Sequence, residues 1–117
     1  MTNGTLIRVA VAEEEKEDVL APRLGRAVKF ALYDLRGGVV RGPSYRVRHD
    51  NPGEACDHHA ELAGLLKDCK AVIAGAVGQH MALRMQALGI EVVATPERIP
   101  SIQLVTRYIG GTLTRIP

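Results

Sequence analysis

The sequence predicts a single α/β domain with a mixed five-stranded sheet and helices on its faces. Strand-like apolar segments and segments of helical periodicity follow one another in the order β-β-β-α-β-α-β-α. The first half contains a hairpin, which is antiparallel, and the second half is a strand–helix–strand unit, which requires parallel strands and a right-handed crossover. A chain of 117 residues supports one core. We therefore expect one domain over residues 1–117, with its core at about 6–111.

The first three strands are predicted from alternation and turn residues. Leu6–Ala12 is apolar on both alternating faces, which is typical of a central strand. Val28–Leu35 and Val39–Val47 flank the turn Arg36–Gly38 and form the hairpin. Gly42-Pro43 interrupts the third strand, which predicts either an edge position or a bulge.

The second half alternates helices and strands. Asn51–Glu54 has capping-box spacing and predicts the start of a helix that runs to about Asp68. The remaining elements are a strand at Ala71–Ala76, a helix at Gln79–Leu88, a strand at Ile90–Thr95 and a helix that begins at Pro100 and stops at Gly110-Gly111. The ends, Met1–Gly4 and Thr112–Pro117, are expected to fray.

Charge is unevenly distributed along the chain. The net charge of +2 is too small to indicate nucleic acid. The acidic run Glu13–Asp18 is predicted to be a mobile loop. One stretch carries seven cations against Asp34 alone and is either a basic face that attracts an anion or an ordinary solvated face: Arg23, Arg26, Lys29, Arg36, Arg41, Arg46 and Arg48.

The cellular compartment is predicted from two features that the sequence does not show, a membrane-spanning segment and an export signal. No apolar run approaches the roughly 20 residues needed to cross a bilayer, and no export signal opens the sequence. We therefore expect a cytoplasmic protein that does not contact membranes. In that compartment the two cysteines are free thiols or ligands rather than a disulfide. Cys69 has helical core spacing and is interpreted as a small buried hydrophobe.

Soft metal ligands are concentrated between His49 and His59. Thiolate and imidazole suit iron–sulfur and other transition-metal centres. If the helix has begun by Cys56, then Cys56 and His59 share a face, while His58 points elsewhere. A cluster site would then use either Cys56 and His59, or His58 with the loop residue His49. The alternative is a set of exposed polar residues on a first helical turn, with Cys56 half-buried.

The turn Gly75–Gly78 lies between an apolar strand and a helix. Backbone amides at such a position can bind an anion, although two glycines also serve a plain tight turn. His80, just inside that helix, is expected to be exposed, and Met81 and Met85 to be core residues. No serine–histidine–acid set or pair of carboxylates is visible, so no catalytic residue is assigned.

Six ordered segments together resemble one known family. They are Ile7–Ala12, Arg23–Ala27, Phe30–Asp34, Asp50–Pro52, Ala71–Gly78 and Leu88–Val93. The chain resembles the dinitrogenase iron–molybdenum cofactor-binding family of nitrogenase accessory proteins, from about Ile7 to Gly111. The resemblance implies a ribonuclease-H-like three-layer α/β/α fold. It also implies a carrier without turnover, which holds the iron–molybdenum cofactor, a precursor, or a related iron–sulfur or molybdenum cluster during cofactor assembly.

The family pocket is expected between the Arg23–Arg26 loop, the Cys56–His59 loop and the Gly75–Gly78 turn. By this resemblance the metal ligands are Cys56, His58 and His59, and the residues in contact with the anionic cluster are Arg23, Arg26, Gly75 and Gly78. Two positions depart from the family pattern. Arg23-Leu24-Gly25 stands where His-Phe-Gly is common, and Ala76 replaces a frequent glycine. An arginine at position 23 is suited to binding anions rather than metal.

The resemblance further implies a nitrogenase-type or cofactor-assembly protein as partner, and a monomer or homodimer. The alternative function is a protein-interaction module that uses the basic hairpin face, including Arg46 and Arg48, without metal. A nuclease-type hydrolase is disfavoured, because that chemistry needs several carboxylates around divalent metals and the first predicted strand carries none.

Overall fold

The protein is seen in a computed structural model that describes residues 6–14, 20, 23, 24, 27–48 and 58–115, with the side chains of 58–61 excepted. The elements are β1 (Ile7–Glu13), β2 (Lys29–Arg36), β3 (Val39–Val47), α1 (His58–Leu66), β4 (Ala71–Ala74), α2 (Gln79–Ala87), β5 (Glu91–Ala94) and α3 (Ser101–Gly110). Their order agrees with the sequence prediction. No helix in these ranges is long and apolar enough to cross a membrane.

The five strands form one mixed sheet in the order β3-β2-β1-β4-β5. β2 is antiparallel to both of its neighbours, whereas β1 pairs in parallel with β4, and β4 with β5. At the centre, Val11 lies opposite Ala31 of β2 and Ile73 of β4. The mixed five-stranded α/β architecture predicted from the sequence is confirmed.

β3 is an edge strand and also contains the irregularity predicted at Gly42-Pro43. The register with β2 shifts between Leu32 and Asp34, opposite that dipeptide. Gly42 has φ +132°, and a Cβ atom there would lie 2.7 Å from the carbonyl oxygen of Leu32. Any side chain at this position would clash with β2, so the bulge requires glycine.

Helices pack on both faces of the sheet because both faces of its central strands are apolar. On one face the sheet packs against α1 and α2, and on the other against α3. The first face buries Ala10, Ala12, Val72 and Ala74 with Leu62, Leu66, Met81 and Met85, and the second buries Val9, Val11, Ala71 and Ile73 with Leu104 and Val105. Consecutive strand residues therefore enter different clusters, as the pleat requires.

The C-terminal segment is ordered further than the sequence predicts. α3 ends at Gly111, which has the left-handed conformation with φ +74° that favours glycine. The chain then returns to the sheet. Leu113 is buried, and the amide of Thr114 donates to Oε2 of Glu97 at 2.9 Å. The expectation of fraying is therefore wrong for residues 112–115, because Leu113 packs in the apolar cluster between the sheet and α3.

A network of four charged side chains, Arg8, Asp34, Arg46 and Asp68, fixes the end of α1 to the sheet. We call it the amino-edge network, because it lies where the parallel strands β1 and β4 begin. Arg46 donates to both carboxylate oxygens of Asp68 at 2.6 Å, and Arg8 reaches Asp68 at 2.7 Å and Asp34 at 2.6 Å. The hydrogen bonds from Arg46 and then Arg8 hold the pKa of Asp68 well below its usual range. Arg46 also donates to the Leu65 carbonyl at 2.7 Å, which caps the last turn of α1.

Candidate functional site

The carboxyl ends of the parallel strands meet at one edge of the sheet, as is general in open α/β folds. We call this the carboxyl edge. β1 ends there at Glu13 and β4 at Ala74, and the Gly75–Gly78 turn follows. α1 ends near the opposite edge. The carbonyl of Leu66 accepts a hydrogen bond from the amide of Cys69, and the amide of the following residue, Lys70, donates to the carbonyl of Arg8 at the start of β1. The first residue of α1, His58, therefore lies toward the carboxyl edge.

The Arg23 loop is tied directly to the glycine turn. The amide of Leu24 donates to the carbonyl of Ala76 at 2.9 Å. Leu24 is fully buried among the residues of α1 and α2, which anchors this contact. Arg23 is exposed beside it. Two of the three predicted components of the pocket are therefore neighbours.

The glycine turn leads into a helix start that no side chain caps. Gly78 is the N-cap of α2, makes no side-chain cap hydrogen bond, and no acidic residue stands in the first turn. The first amides of a helix carry partial positive charge and lack intrahelical acceptors. With φ −68°, and with a Cβ atom meeting no heavy atom within 4 Å, Gly78 is required neither by backbone strain nor by crowding. As far as the described residues go, no neighbouring atom blocks the position of a side chain at Gly78.

Several of the predicted site residues fall outside the described residues. Cys56, Arg26 and His49 lie in undescribed segments, and His58 and His59 are placed only by their backbone at the start of α1. Their roles stay predictions. Within the described ranges, no three histidine, cysteine, aspartate or glutamate side chains come together to hold a metal ion.

Four described residues have the places predicted for them. His80 is exposed on the first turn of α2, while Met81 and Met85 are buried in the core. Cys69 is 5% exposed, and burial raises the pKa of its thiol to about 12. It is therefore a core residue, as predicted, and holds its proton at neutral pH.

A buried carboxylate at the carboxyl edge was missed by the sequence analysis. Glu13 is the last residue of β1 and is 1% exposed, so the prediction of a mobile loop is wrong for this residue. Its Oε1 lies 3.2 Å from Nζ of Lys29, and its Oε2 accepts a hydrogen bond from Ser101. The hydroxyl of Tyr33 completes the group at 3.3 Å from Oγ of Ser101. The sequence contained a signal for this burial. Glu13 follows Val9 and Val11 at alternate positions of the strand, so its side chain points to the same face of β1 as theirs.

The first strand thus does carry one carboxylate, contrary to the expectation used against a hydrolase. Oε2 of Glu13 accepts from Ser101, which is itself buried at the start of α3, whereas Oε1 is within ion-pair distance of Lys29 and accepts no hydrogen bond from a described residue. This arrangement fastens β1, β2 and α3 together rather than presenting an open carboxylate. A second acid at the edge, Glu14, is paired with the exposed Arg98.

The basic hairpin face is smaller than the sequence indicates. Arg46 belongs to the amino-edge network. Arg48 is 4% exposed, and its amide and guanidinium donate to the carbonyls of Val28 and Ala27. The inclusion of Arg46 and Arg48 in a free basic face is therefore wrong. The long-range partners of both arginines are invisible in the local sequence.

Comparison with known proteins adds a family to this geometry. The sequence profile described as dinitrogenase iron–molybdenum cofactor matches residues 5–111. No curated protein matches the chain.

Several solved structures share the fold. The orange protein of Desulfovibrio gigas, in its apo form, is 23% identical with a TM-score of 0.80, and the match covers 97% of this chain and 95% of that one. The protein PH0822 is 25% identical with a TM-score of 0.74, covering 94% and 96%. A Methanocaldococcus jannaschii protein proposed to be a dinitrogenase is 16% identical with a TM-score of 0.69, covering 99% and 97%. The two structures below 25% identity support the fold alone.

Proposed function

Because the chain belongs to the dinitrogenase iron–molybdenum cofactor family, we propose that it is a non-catalytic carrier of an iron–molybdenum or related iron–sulfur or molybdenum cluster. This family is linked to metallocluster binding. The carrier role is our inference. In this role the chain holds the cluster as cargo during cofactor assembly and passes it to a nitrogenase-type or assembly protein.

One observation carries the proposal. The hydrogen bond from Leu24 to Ala76 sets the exposed Arg23 next to the uncapped start of α2. A guanidinium and a set of free helix amides both favour an anion, and metal–sulfur clusters of this type are anionic. We propose that Arg23, Gly75 and Gly78 contact the cluster.

The metal ligands are a further part of the proposal. The backbone of His58 opens α1 toward the carboxyl edge. We propose Cys56, His58 and His59 as the metal ligands, because this helix start is directed to the same edge of the sheet as the glycine turn. Arg26, close to Leu24 in sequence, is proposed as a further cation beside the cluster.

We also propose that the fold is ribonuclease-H-like. The support is the strand order β3-β2-β1-β4-β5, in which β2 alone is antiparallel to the other four. The buried state of Glu13 and its two partners support a structural rather than hydrolytic use of that order.

The test is anaerobic loading of the full chain with isolated iron–molybdenum cofactor, followed by gel filtration and metal analysis. We expect molybdenum and iron to elute with the wild-type chain. Retention should fall in Arg23→Gln, in Gly78→Ala, and in the double variant Cys56→Ala/His59→Ala. Gly78→Ala is informative because its added methyl group meets only open space, so it fills the site without disturbing the described packing.

Matched controls separate site effects from general ones. Gly110→Ala adds a methyl group at another uncrowded glycine, at the far end of α3, and should load like the wild type. A second arm with iron and sulfide, without molybdenum, identifies the cargo class. Absence of metal from the wild-type fractions, or equal retention by all variants, would contradict the proposal.

A further inference from the structure

A groove of about 410 Å³ lies at the opposite edge of the sheet from the proposed cluster site. It is lined by Leu6, Asp34, Arg36, Val39 and Arg41, and we call it the hairpin groove. These residues lie at the start of β1, the end of β2 and the start of β3. β1 spans seven residues, so the groove lies about 20 Å from the carboxyl edge.

Strand register places the two arginines of the groove on one face of the sheet. Arg41 lies opposite Asp34, and Asp34 lies opposite Arg8. Arg36 follows Asp34 by two residues on β2, and side chains two apart point to the same face. The register partner of Arg36 on β3 is Val39. The hairpin thus directs both guanidinium groups to the side of the sheet that carries the amino-edge network.

In the amino-edge network and the hairpin groove together, the described side chains are four arginines and two aspartates. The amino-edge network uses both of its aspartates on its own two arginines. In the part of the chain that the structure describes, Arg36 and Arg41 form no hydrogen bond or ion pair. Both side chains are exposed. Two uncompensated positive charges on one face repel each other unless an anion is supplied from outside.

The walls of the groove are partly apolar. Leu6 is 44% exposed and Val39 is 53% exposed. The volume of about 410 Å³ falls within the range of small-molecule sites and exceeds what a bare phosphate ion needs. An occupant therefore has an anionic group for the arginines and a carbon part for Leu6 and Val39.

We propose that the hairpin groove binds a small organic phosphate. A phosphate monoester carries a charge near −2 at neutral pH, which matches the two free guanidinium groups, and its oxygens accept hydrogen bonds from both. A monocarboxylate matches only one of them. Extended nucleic acid is disfavoured, because Asp34 stands in the wall and the whole chain carries a net charge of only +2. The proposal does not rest on the cluster site.

The test is a titration of the ¹⁵N-labelled full chain with propyl phosphate at fixed ionic strength, followed by amide chemical shifts. We expect saturable shifts at Arg36, Val39 and Arg41. Butyrate, a singly charged probe of similar length, and inorganic phosphate, which has no carbon part, should both bind more weakly. The double variant Arg36→Gln/Arg41→Gln should lose affinity by about tenfold or more, since it removes two charged donors.

The control is Arg84→Gln, which removes an exposed arginine from α2 and should leave the titration unchanged. Retention of the metal cluster by the Arg36→Gln/Arg41→Gln variant should equal that of the wild type, because the two sites lie at opposite edges. Absence of saturable shifts at the hairpin, or equal affinity in wild type and double variant, would overturn the proposal. Inorganic phosphate that binds as tightly as propyl phosphate would overturn the assignment of an organic ligand.

Discussion

Replacement of Asp68 by asparagine should destabilise the protein by weakening the amino-edge network. Asp68 accepts two hydrogen bonds of 2.6 Å from Arg46 and one of 2.7 Å from Arg8. Its side chain is 41% exposed, so solvent screening reduces the benefit of each ion pair. Two partly exposed pairs, one of them bidentate, contribute about 1–2 kcal/mol together. For a domain of this size, that loss lowers the Tm by about 3–8 °C.

The same network gives the variant a distinctive pH dependence. The pKa of Asp68 in the folded chain is lowered from 3.8, mainly by hydrogen bonds from Arg46 and then Arg8. A depressed carboxylate pKa contributes stability that is complete above the unfolded value and is lost as pH falls toward the folded value. The stability difference between the wild type and Asp68→Asn should therefore be constant from neutral pH to about pH 5 and shrink below about pH 4.

Urea denaturation followed by circular dichroism measures this difference at each pH. Arg84→Gln, which removes an exposed charge on α2, should change the free energy of unfolding by less than about 0.5 kcal/mol and serves as the control. The reasoning would be refuted by wild-type stability of Asp68→Asn at neutral pH. It would equally be refuted by a stability difference that stays undiminished in acid.

Three further predictions concern the core. Glu13→Ala removes the carboxylate acceptor of the buried Ser101 hydroxyl and the ion-pair partner of Lys29, whose side chain is 19% exposed, and should cost about 1–3 kcal/mol in urea denaturation. Unfolding at the wild-type midpoint would contradict the role assigned to Glu13. Leu66→Ala leaves a cavity on the buried face of α1, of which Leu66 is the last residue, and should cost about 2–5 kcal/mol. Leu83→Ala, at a residue of α2 that is 57% exposed, should cost under about 0.5 kcal/mol, and equal costs would contradict the placement of the core. In a Cys56→Ser background, burial and a thiol pKa of about 12 should make Cys69 react with iodoacetamide far more slowly in the native state than in urea, and equally fast labelling in both states would contradict its burial.

Local chemistry was sufficient to predict the type and order of the described strands and helices. The apolar segments of β1 and β4, the hairpin turn before Val39 and the glycine at the end of α3 each determine structure within a few residues, and the structure confirms all of them. The prediction of an edge position or a bulge followed in the same way from Gly42-Pro43, since proline has no amide to donate to a second neighbour, and β3 has both features.

The candidate site was predictable only in part. The contact between Leu24 and Ala76 joins two segments that the sequence analysis had assigned to one pocket by resemblance, but no local pattern predicts that hydrogen bond. The ligand roles of Cys56, His58 and His59 remain predictions, because the structure does not describe these side chains.

The sequence by itself determined the order of strands and helices, the mixed sheet and the residues of its two apolar faces, since periodicity and turn chemistry act between near neighbours. Only the tertiary structure decided which charges are free. Arg46 meets Asp68 across 22 residues and Glu13 meets Ser101 across 88, so their burial and pairing depend on how the chain returns to the sheet. In the folded chain Arg36 and Arg41 have no described partner, and Arg23 lies beside the start of α2. The tertiary structure decides this, because it determines which charged groups become neighbours.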